Sequence, residues 1–140
     1  LLNDIKTYRK DINIYGTETS NYAIENSMSS VKKYISKQLP YNLNFNDNYF
    51  EFVIALGVVY TQTLDNAIKV LKEIVRVSKG KSFITLATYE TEEEFFLFRD
   101  WTLLGVLMFK REEWIEILRH VNYRGFYYFT DSNSLNLTRI

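Results

Sequence analysis

Phe50-Glu51-Phe52-Val53-Ile54-Ala55-Leu56-Gly57 is the stretch on which the fold turns. It is apolar almost without interruption, ends at a glycine, and reads as a strand buried on both faces. Beyond it Leu64, Ala67, Ile68, Leu71 and Val75 recur at helical spacing, with Arg76 and Lys79 in the last turn and Gly80 as the stop. Ser82 to Tyr89 is then a second apolar, β-branched strand. Strand, helix and strand at this spacing make a βαβ unit, whose strands are parallel and whose crossover is right-handed. The expected class is α/β with a mostly parallel sheet.

Upstream, Leu1 to Lys10 reads as the end of a helix, with Leu1, Leu2, Ile5 and Tyr8 on one face. Ile12-Asn13-Ile14-Tyr15 alternates apolar and polar residues before Gly16, the pattern of a short strand. Ser20 is a good capping residue for a helix in which Ile24, Met28 and Val31 recur. A strand around Tyr34 to Lys37 is weakly marked, and Gln38 to Asn48, with the only proline, is a loop. Downstream, Thr91 and Glu94 have the spacing of a capping box for a helix through Phe95, Phe96 and Phe98. Trp114, Ile117, Leu118 and Val121 mark another helix. Gly125 to Thr130 and Leu135 to Ile140 read as two short strands around Asp131-Ser132-Asn133, a linker that suits an antiparallel return. No repeat or low-complexity linker interrupts residues 1–140, which read as one domain.

Composition narrows the function classes. Hydrophobic residues at 46% and charged residues at 24% are the mix of a soluble globular chain with one core. With 17 basic against 17 acidic side chains there is no electrostatic footprint for nucleic acid or an anionic membrane. No apolar run reaches the roughly 18 residues a membrane span needs. Neither nucleic acid nor membrane is therefore an expected partner, and nothing here fixes the oligomeric state. The absence of cysteine excludes disulfides and thiolate metal sites and suits a reducing compartment, so a cytoplasmic location is expected. His120 is the only histidine, so no histidine pair exists for a metal. Glu92-Glu93-Glu94 is the acidic first turn of a helix and not a catalytic carboxylate pair.

Three segments carry a resemblance that covers essentially all 140 positions. Leu43-Asn44-Phe45-Asn46-Asp47-Asn48-Tyr49-Phe50-Glu51-Phe52-Val53, running on to Tyr60, and Leu71-Lys72-Glu73-Ile74-Val75-Arg76-Val77-Ser78-Lys79-Gly80 are similar to the class I S-adenosylmethionine-dependent methyltransferases. That family commonly has Leu-Pro-Phe-x-Asp-Asn-Ser-Phe-Asp-x-Val in the first segment. Trp101 to Tyr127, with Glu112-Glu113-Trp114 and Asn122-Tyr123-Arg124-Gly125-Phe126-Tyr127, looks like one subgroup of it. The resemblance implies a Rossmann-like sheet, S-adenosylmethionine as cofactor, and methyl transfer to a small-molecule or glycan-like acceptor.

It also implies roles for single residues. Glu18, with Thr19 beside it, stands where an acidic residue ends the second strand and accepts hydrogen bonds from the ribose hydroxyls. Gln38 and Leu39 stand near the adenine, where the family has Gly-Asp or Gly-Asn. Leucine packs against a base but accepts no hydrogen bond, so either the register slips or adenine recognition is degraded. Ala55, Leu56 and Gly57 face the methyl-donor end of the cofactor, while Tyr60 and Trp101 border the acceptor. Trp101, Phe109 and Trp114 have two readings, the lining of an acceptor pocket on the helices after the fifth strand or an aromatic stripe that is more simply core. No catalytic residue is assigned, because the sulfonium already makes the methyl electrophilic and the protein mainly aligns the reactants. The family's glycine-rich loop has no counterpart, the first glycine being Gly16. The sequence is therefore expected to be the C-terminal two-thirds of the domain, with the first strand missing and weak cofactor binding by itself. The alternative is a non-catalytic Rossmann-like interaction module that kept the sheet and lost the pocket.

Overall fold

The computed structural model describes residues 1–138. The chain forms two compact units, Leu1–Asn44 and Phe45–Ile140.

In the first unit, α1 (Leu2–Tyr8) leads to β1 (Gly16–Glu18), which pairs in parallel with β2 (Ile35–Lys37). The ladder sets Gly16 opposite Ile35 and Glu18 opposite Lys37. Ile12–Tyr15, expected as the strand, runs up to the ladder without joining it, although Ile14 is buried. Pairing begins where the Gly16 N–H donates to the Tyr34 carbonyl at 2.9 Å. Alternation marks a half-buried extended segment, but only a partner strand makes it a ladder. Gly16 also admits a close approach: a Cβ there would lie 2.7 Å from Leu2 Cδ1.

The helix expected from Ser20 through Val31 is two short ones, α2 (Asn21–Glu25) and α3 (Ser29–Lys32). Ser20 caps α2 as its type suggests, its Oγ accepting from the Ala23 N–H at 3.2 Å. The break has a local cause. Asn26 Nδ2 donates to the Tyr22 carbonyl at 2.9 Å and Ser27 Oγ to the Ile24 carbonyl at 2.7 Å, so side chains take acceptors at the end of the helix.

The second unit is built on a three-stranded sheet in the order β3-β4-β5, from β3 (Val53–Ala55), β4 (Ser82–Ala87) and β5 (Phe126–Thr130). Between β3 and β4 runs α4 (Leu64–Val77), which buries Ala67, Val70, Leu71, Ile74 and Val77 along one stripe. This is the expected parallel βαβ unit, with Ala55 opposite Ile84. Helices α5 (Glu92–Trp101) and α6 (Arg111–His120) link β4 to β5. The Thr91 hydroxyl accepts from the Glu94 N–H and the Glu94 carboxylate from the Thr91 N–H, completing the capping box of α5. Trp114 is fully buried, its indole N–H donating to the Ala87 carbonyl at 2.6 Å and its ring 5.1 Å from Phe109. It is core, as an aromatic at helical spacing usually is. Arg76, in the last turn of α4, donates to Glu73, to Asp47 at 2.9 Å and to the Phe45 carbonyl at 2.7 Å, which fastens the segment leading into β3.

Two expectations change here. The Phe50–Leu56 run yields only a three-residue strand, and it is not buried on both faces: Phe52, Ile54 and Leu56 are 46%, 42% and 50% exposed. Continuous apolarity reports that neither face is polar, whereas burial needs cover on each. The expected C-terminal antiparallel hairpin is also replaced. Phe126–Thr130 pairs in parallel with β4, Phe83 opposite Phe126 and Ala87 opposite Thr130. The α5–α6 connection returns the chain to the starting end of β4, so β5 enters running the same way. After Thr130 the chain turns on itself: the Ser134 N–H donates to Asp131 Oδ1 at 2.7 Å, and Asn136 takes φ +52°. Residues 135–138 form no strand, and the rest of the expected Leu135–Ile140 strand lies outside the described residues. All strand pairs among the described residues' sheets are parallel. No described helix is long and apolar enough to cross a membrane.

Candidate functional site

The carboxyl ends of parallel strands are where open α/β sheets take ligands, and each unit presents one such end. In the first unit, β1 ends at Glu18, and the chain then turns into α2. Glu18 Oε1 accepts from the Thr19 N–H at 2.7 Å, the Ser20 N–H at 3.0 Å and the Thr19 hydroxyl at 3.3 Å. Oε2 makes none of these bonds. The Ser20 N–H, then the Thr19 N–H and hydroxyl, hold the carboxyl below its ordinary range against a smaller opposing effect of burial. The result is a charged, half-buried acceptor with a fixed rotamer at a strand end.

β2 delivers Gln38 beside it. The Gln38 N–H donates to the Glu18 carbonyl at 3.1 Å, continuing the ladder by one residue. Its side-chain amide is engaged at both ends, Nε2 donating to the Ser36 hydroxyl at 2.8 Å and Oε1 accepting from the Asn44 N–H at 2.7 Å. Leu39 opens a tight turn closed by the Asn42 N–H on the Leu39 carbonyl at 3.0 Å, with Pro40 at the position whose fixed φ suits such a turn. The Leu39 side chain is 46% exposed. Glu18 and Thr19 at the end of β1 thus lie at the same end of the ladder as Gln38 and Leu39, which follow β2. The Gln38 amide serves the turn.

In the second unit, β3 ends at buried Ala55, exposed Leu56 and Gly57. Gly57 takes φ +69°, a left-handed conformation that any side chain would strain. Its N–H donates to Thr85 Oγ1 of β4 at 2.8 Å. The turn brings Tyr60 back over Gly57, where a Cβ would stand 3.4 Å from the phenol oxygen. Burial raises the Tyr60 phenol above its ordinary value, so it is neutral at physiological pH. The Tyr60 ring meets buried Phe98 edge-on at 6.2 Å, and Phe98 meets Trp101 at 5.6 Å. Tyr60 and Trp101, named from sequence as acceptor-side residues, are therefore linked through one intervening ring. The Tyr60 carbonyl also accepts from the Val106 and Leu107 N–H groups at 2.9 and 2.8 Å, which fastens the segment after α5 to the same place.

Thr85, Phe98 and the Val106–Leu107 backbone were not singled out from sequence. A hydroxyl inside an apolar strand was the available signal for Thr85; the others depend on partners distant in the chain. His120 lies exposed on α6, on a groove of about 470 Å³ lined by Leu64, Ile68, Phe109, Glu113, Glu116 and Ile117. Phe109, one of the three aromatics weighed between pocket and core, lines it, and none of the residues expected to bind cofactor does. Glu92 and Glu93 lie in the first turn of α5 and Glu94 closes its cap, the structural role expected of them.

A family model described as a methyltransferase domain matches residues 2–86, from α1 through almost all of β4. The resemblance of Trp101–Tyr127 to one subgroup falls beyond that stretch. No curated protein matches the chain. The match takes in more than half of the 140 residues and both strand ends described above, and the chain belongs to the S-adenosylmethionine-dependent methyltransferase-domain family.

Proposed function

We propose that the protein is a methyltransferase that takes S-adenosylmethionine as donor and a small molecule as acceptor. The observation that carries this reading is the Glu18 carboxylate at the end of β1, charged and held by Oε1 with Oε2 outside those bonds. A vicinal diol offers two donors and asks for one such acceptor. Because Thr19 and Ser20 already fix the rotamer, little side-chain freedom is lost when a ribose arrives. Leu39 offers the base an apolar surface and no hydrogen bond, since the neighbouring Gln38 amide is engaged elsewhere. That engagement is the one observation that favours the alternative of a non-catalytic module.

When bound, the cofactor supplies an electrophilic methyl group on its sulfonium. Gly57, lacking a Cβ, lets the Tyr60 phenol lie close over the end of β3. Tyr60, neutral at physiological pH, stands there as a hydrogen-bonding phenol and not as a base. Tyr60 and half-exposed Trp101, joined behind by the buried Phe98 ring, offer an acceptor two aromatic side chains to align against.

Calorimetric titration of S-adenosylhomocysteine into the full-length protein tests the reading. Wild type is expected to bind, and Glu18→Ala to bind about 10–100-fold more weakly, the loss of one to two charge-assisted hydrogen bonds. Glu18→Gln, which keeps an acceptor for Thr19 and Ser20, should fall between. Absence of binding by wild type would refute the enzyme and leave the interaction module.

A further inference from the structure

Trp101-Thr102-Leu103-Leu104-Gly105-Val106-Leu107-Met108-Phe109 holds no charged residue, in a chain where charged residues make up 24%. Its middle faces outward: Leu103 is 95% exposed, Leu104 75%, Val106 60% and Trp101 50%. This is a built loop. The Thr102 N–H donates to the Phe98 carbonyl at 2.9 Å, closing α5, and the Gly105 N–H donates to Thr102 Oγ1 at 3.1 Å. Val106 and Leu107 are tied by their N–H groups to the Tyr60 carbonyl. Backbone bonds thus hold three large apolar side chains in water next to the end of β3. Contiguous apolar exposure of this kind marks a surface that something covers.

We propose that this loop recognises the methyl acceptor and that the acceptor carries an extended hydrocarbon part. The inference rests on the methyl-transfer reading above. Three observations choose this occupant. The loop follows Trp101 directly, and its Val106 and Leu107 N–H groups bond the Tyr60 carbonyl, so its exposed side chains stand beside the turn at Gly57, with Tyr60 and Trp101 bridged behind by the buried Phe98 ring. A glycan asks for carboxylates and amides that pair with its hydroxyls; residues 101–109 hold no carboxylate or amide side chain, and the Thr102 hydroxyl accepts from Gly105. An anionic bilayer asks for a basic flank in addition to inserted apolar residues. Here Arg99, Lys110 and Arg111 are balanced by Asp100, Glu112 and Glu113.

The protein carries its own reporter, because its two tryptophans differ: Trp101 is half exposed beside the loop and Trp114 is fully buried. Full-length protein is titrated with 12-bromododecanol, whose bromine quenches indole fluorescence at short range, and S-adenosylhomocysteine binding is measured in parallel. Saturable quenching that is absent from Trp101→Phe is expected. The triple variant Leu103→Ser, Leu104→Ser, Val106→Ser, checked for an unchanged circular dichroism spectrum, should weaken the apparent affinity at least about tenfold, given the apolar area removed. S-adenosylhomocysteine binding without saturable quenching overturns this inference and leaves methyl transfer standing. Failure to bind S-adenosylhomocysteine sinks the methyl-transfer reading instead, and this inference with it. Co-sedimentation with phosphatidylglycerol vesicles, or a dimer in sedimentation velocity, that the triple variant abolishes would assign the loop to a bilayer or a second copy and would also overturn it.

Discussion

Thr85→Val tests the architecture at the end of β3. In wild type the Gly57 N–H donates to Thr85 Oγ1 at 2.8 Å, and both residues are half-buried. Valine matches threonine in shape and β-branching but has no acceptor, so the substitution removes one bond and little else. An unsatisfied donor costs about 1–3 kcal/mol when buried. Partial access of water to Gly57 lowers that, and the added methyl returns a few tenths, so the expected loss is about 1–2 kcal/mol. With a urea slope of about 1–3 kcal/mol per molar, the unfolding midpoint should fall by roughly 0.3–2 M. Tryptophan fluorescence is the assay, since Trp101 and Trp114 both lie in the unit that holds Gly57 and Thr85. Thr85→Ser keeps the acceptor and should stay closer to wild type. If serine proves as damaging as valine, or valine leaves the midpoint unmoved, the hydroxyl does not hold the turn and the account of Gly57 is wrong.

Other perturbations give graded outcomes by the same assay. Gly57→Ala places a Cβ at φ +69° near the Tyr60 hydroxyl and should cost about 1–2 kcal/mol, the strain of the left-handed region. Gly125→Ala should cost more, about 2–4 kcal/mol, because its Cβ would meet Ser82 Oγ and stand 2.5 Å from the Tyr123 hydroxyl. That hydroxyl accepts from Ser82 at 3.0 Å and donates to the Phe126 carbonyl at 2.9 Å, and a tolerated alanine would show that this packing is loose. Trp114→Phe removes the indole bond to Ala87 in a fully buried setting and should lower stability by about 2–3 kcal/mol. Burial raises the phenols of Tyr60 and Tyr123 in the folded chain, with the Ser82 bond opposing in part at Tyr123. Their contribution is therefore complete below the unfolded value of about 10 and is lost as pH climbs through the folded one. Melting temperature should fall between pH 9.5 and 11, less steeply in Tyr60→Phe, Tyr123→Phe; a rise over that range would contradict the burial.

Features that depend on neighbours in sequence were legible in advance. Ser20 caps α2, and Thr91 and Glu94 close their box, because caps are settled within four residues. The spacing of Leu64, Ala67, Ile68, Leu71 and Val75 marks α4 as a helix but not its buried face, which is Ala67, Val70, Leu71, Ile74 and Val77 and leaves Leu64 44% exposed. Glu18 was placed at a strand end through family resemblance, and its position there needs only the end of β1. Some readings failed for want of a distant partner, and one failed for a local reason. Ile12–Tyr15 has the alternation of a strand, yet the ladder starts at Gly16, where Tyr34 supplies an acceptor. Periodicity predicted one helix past Asn26 and Ser27, whose side chains instead bond back to the end of α2.

Sequence alone therefore determined the α/β class, the βαβ unit around α4, and the kinds of residue that stand at the two strand ends. Those follow from apolar period and from chain-local hydrogen bonding, which any conformation near the native one must satisfy. The tertiary structure alone decided the direction of β5, the open face of β3, the engagement of the Gln38 amide, and the joining of Tyr60 to Trp101 through Phe98. The direction of β5 and the Tyr60–Phe98–Trp101 run are pairings between residues that the chain brings into reach only after folding, while the face of β3 and the Gln38 amide depend on what the surrounding structure covers and turns. Apolar pattern records that a side chain leaves water, and the surrounding structure decides what it then touches.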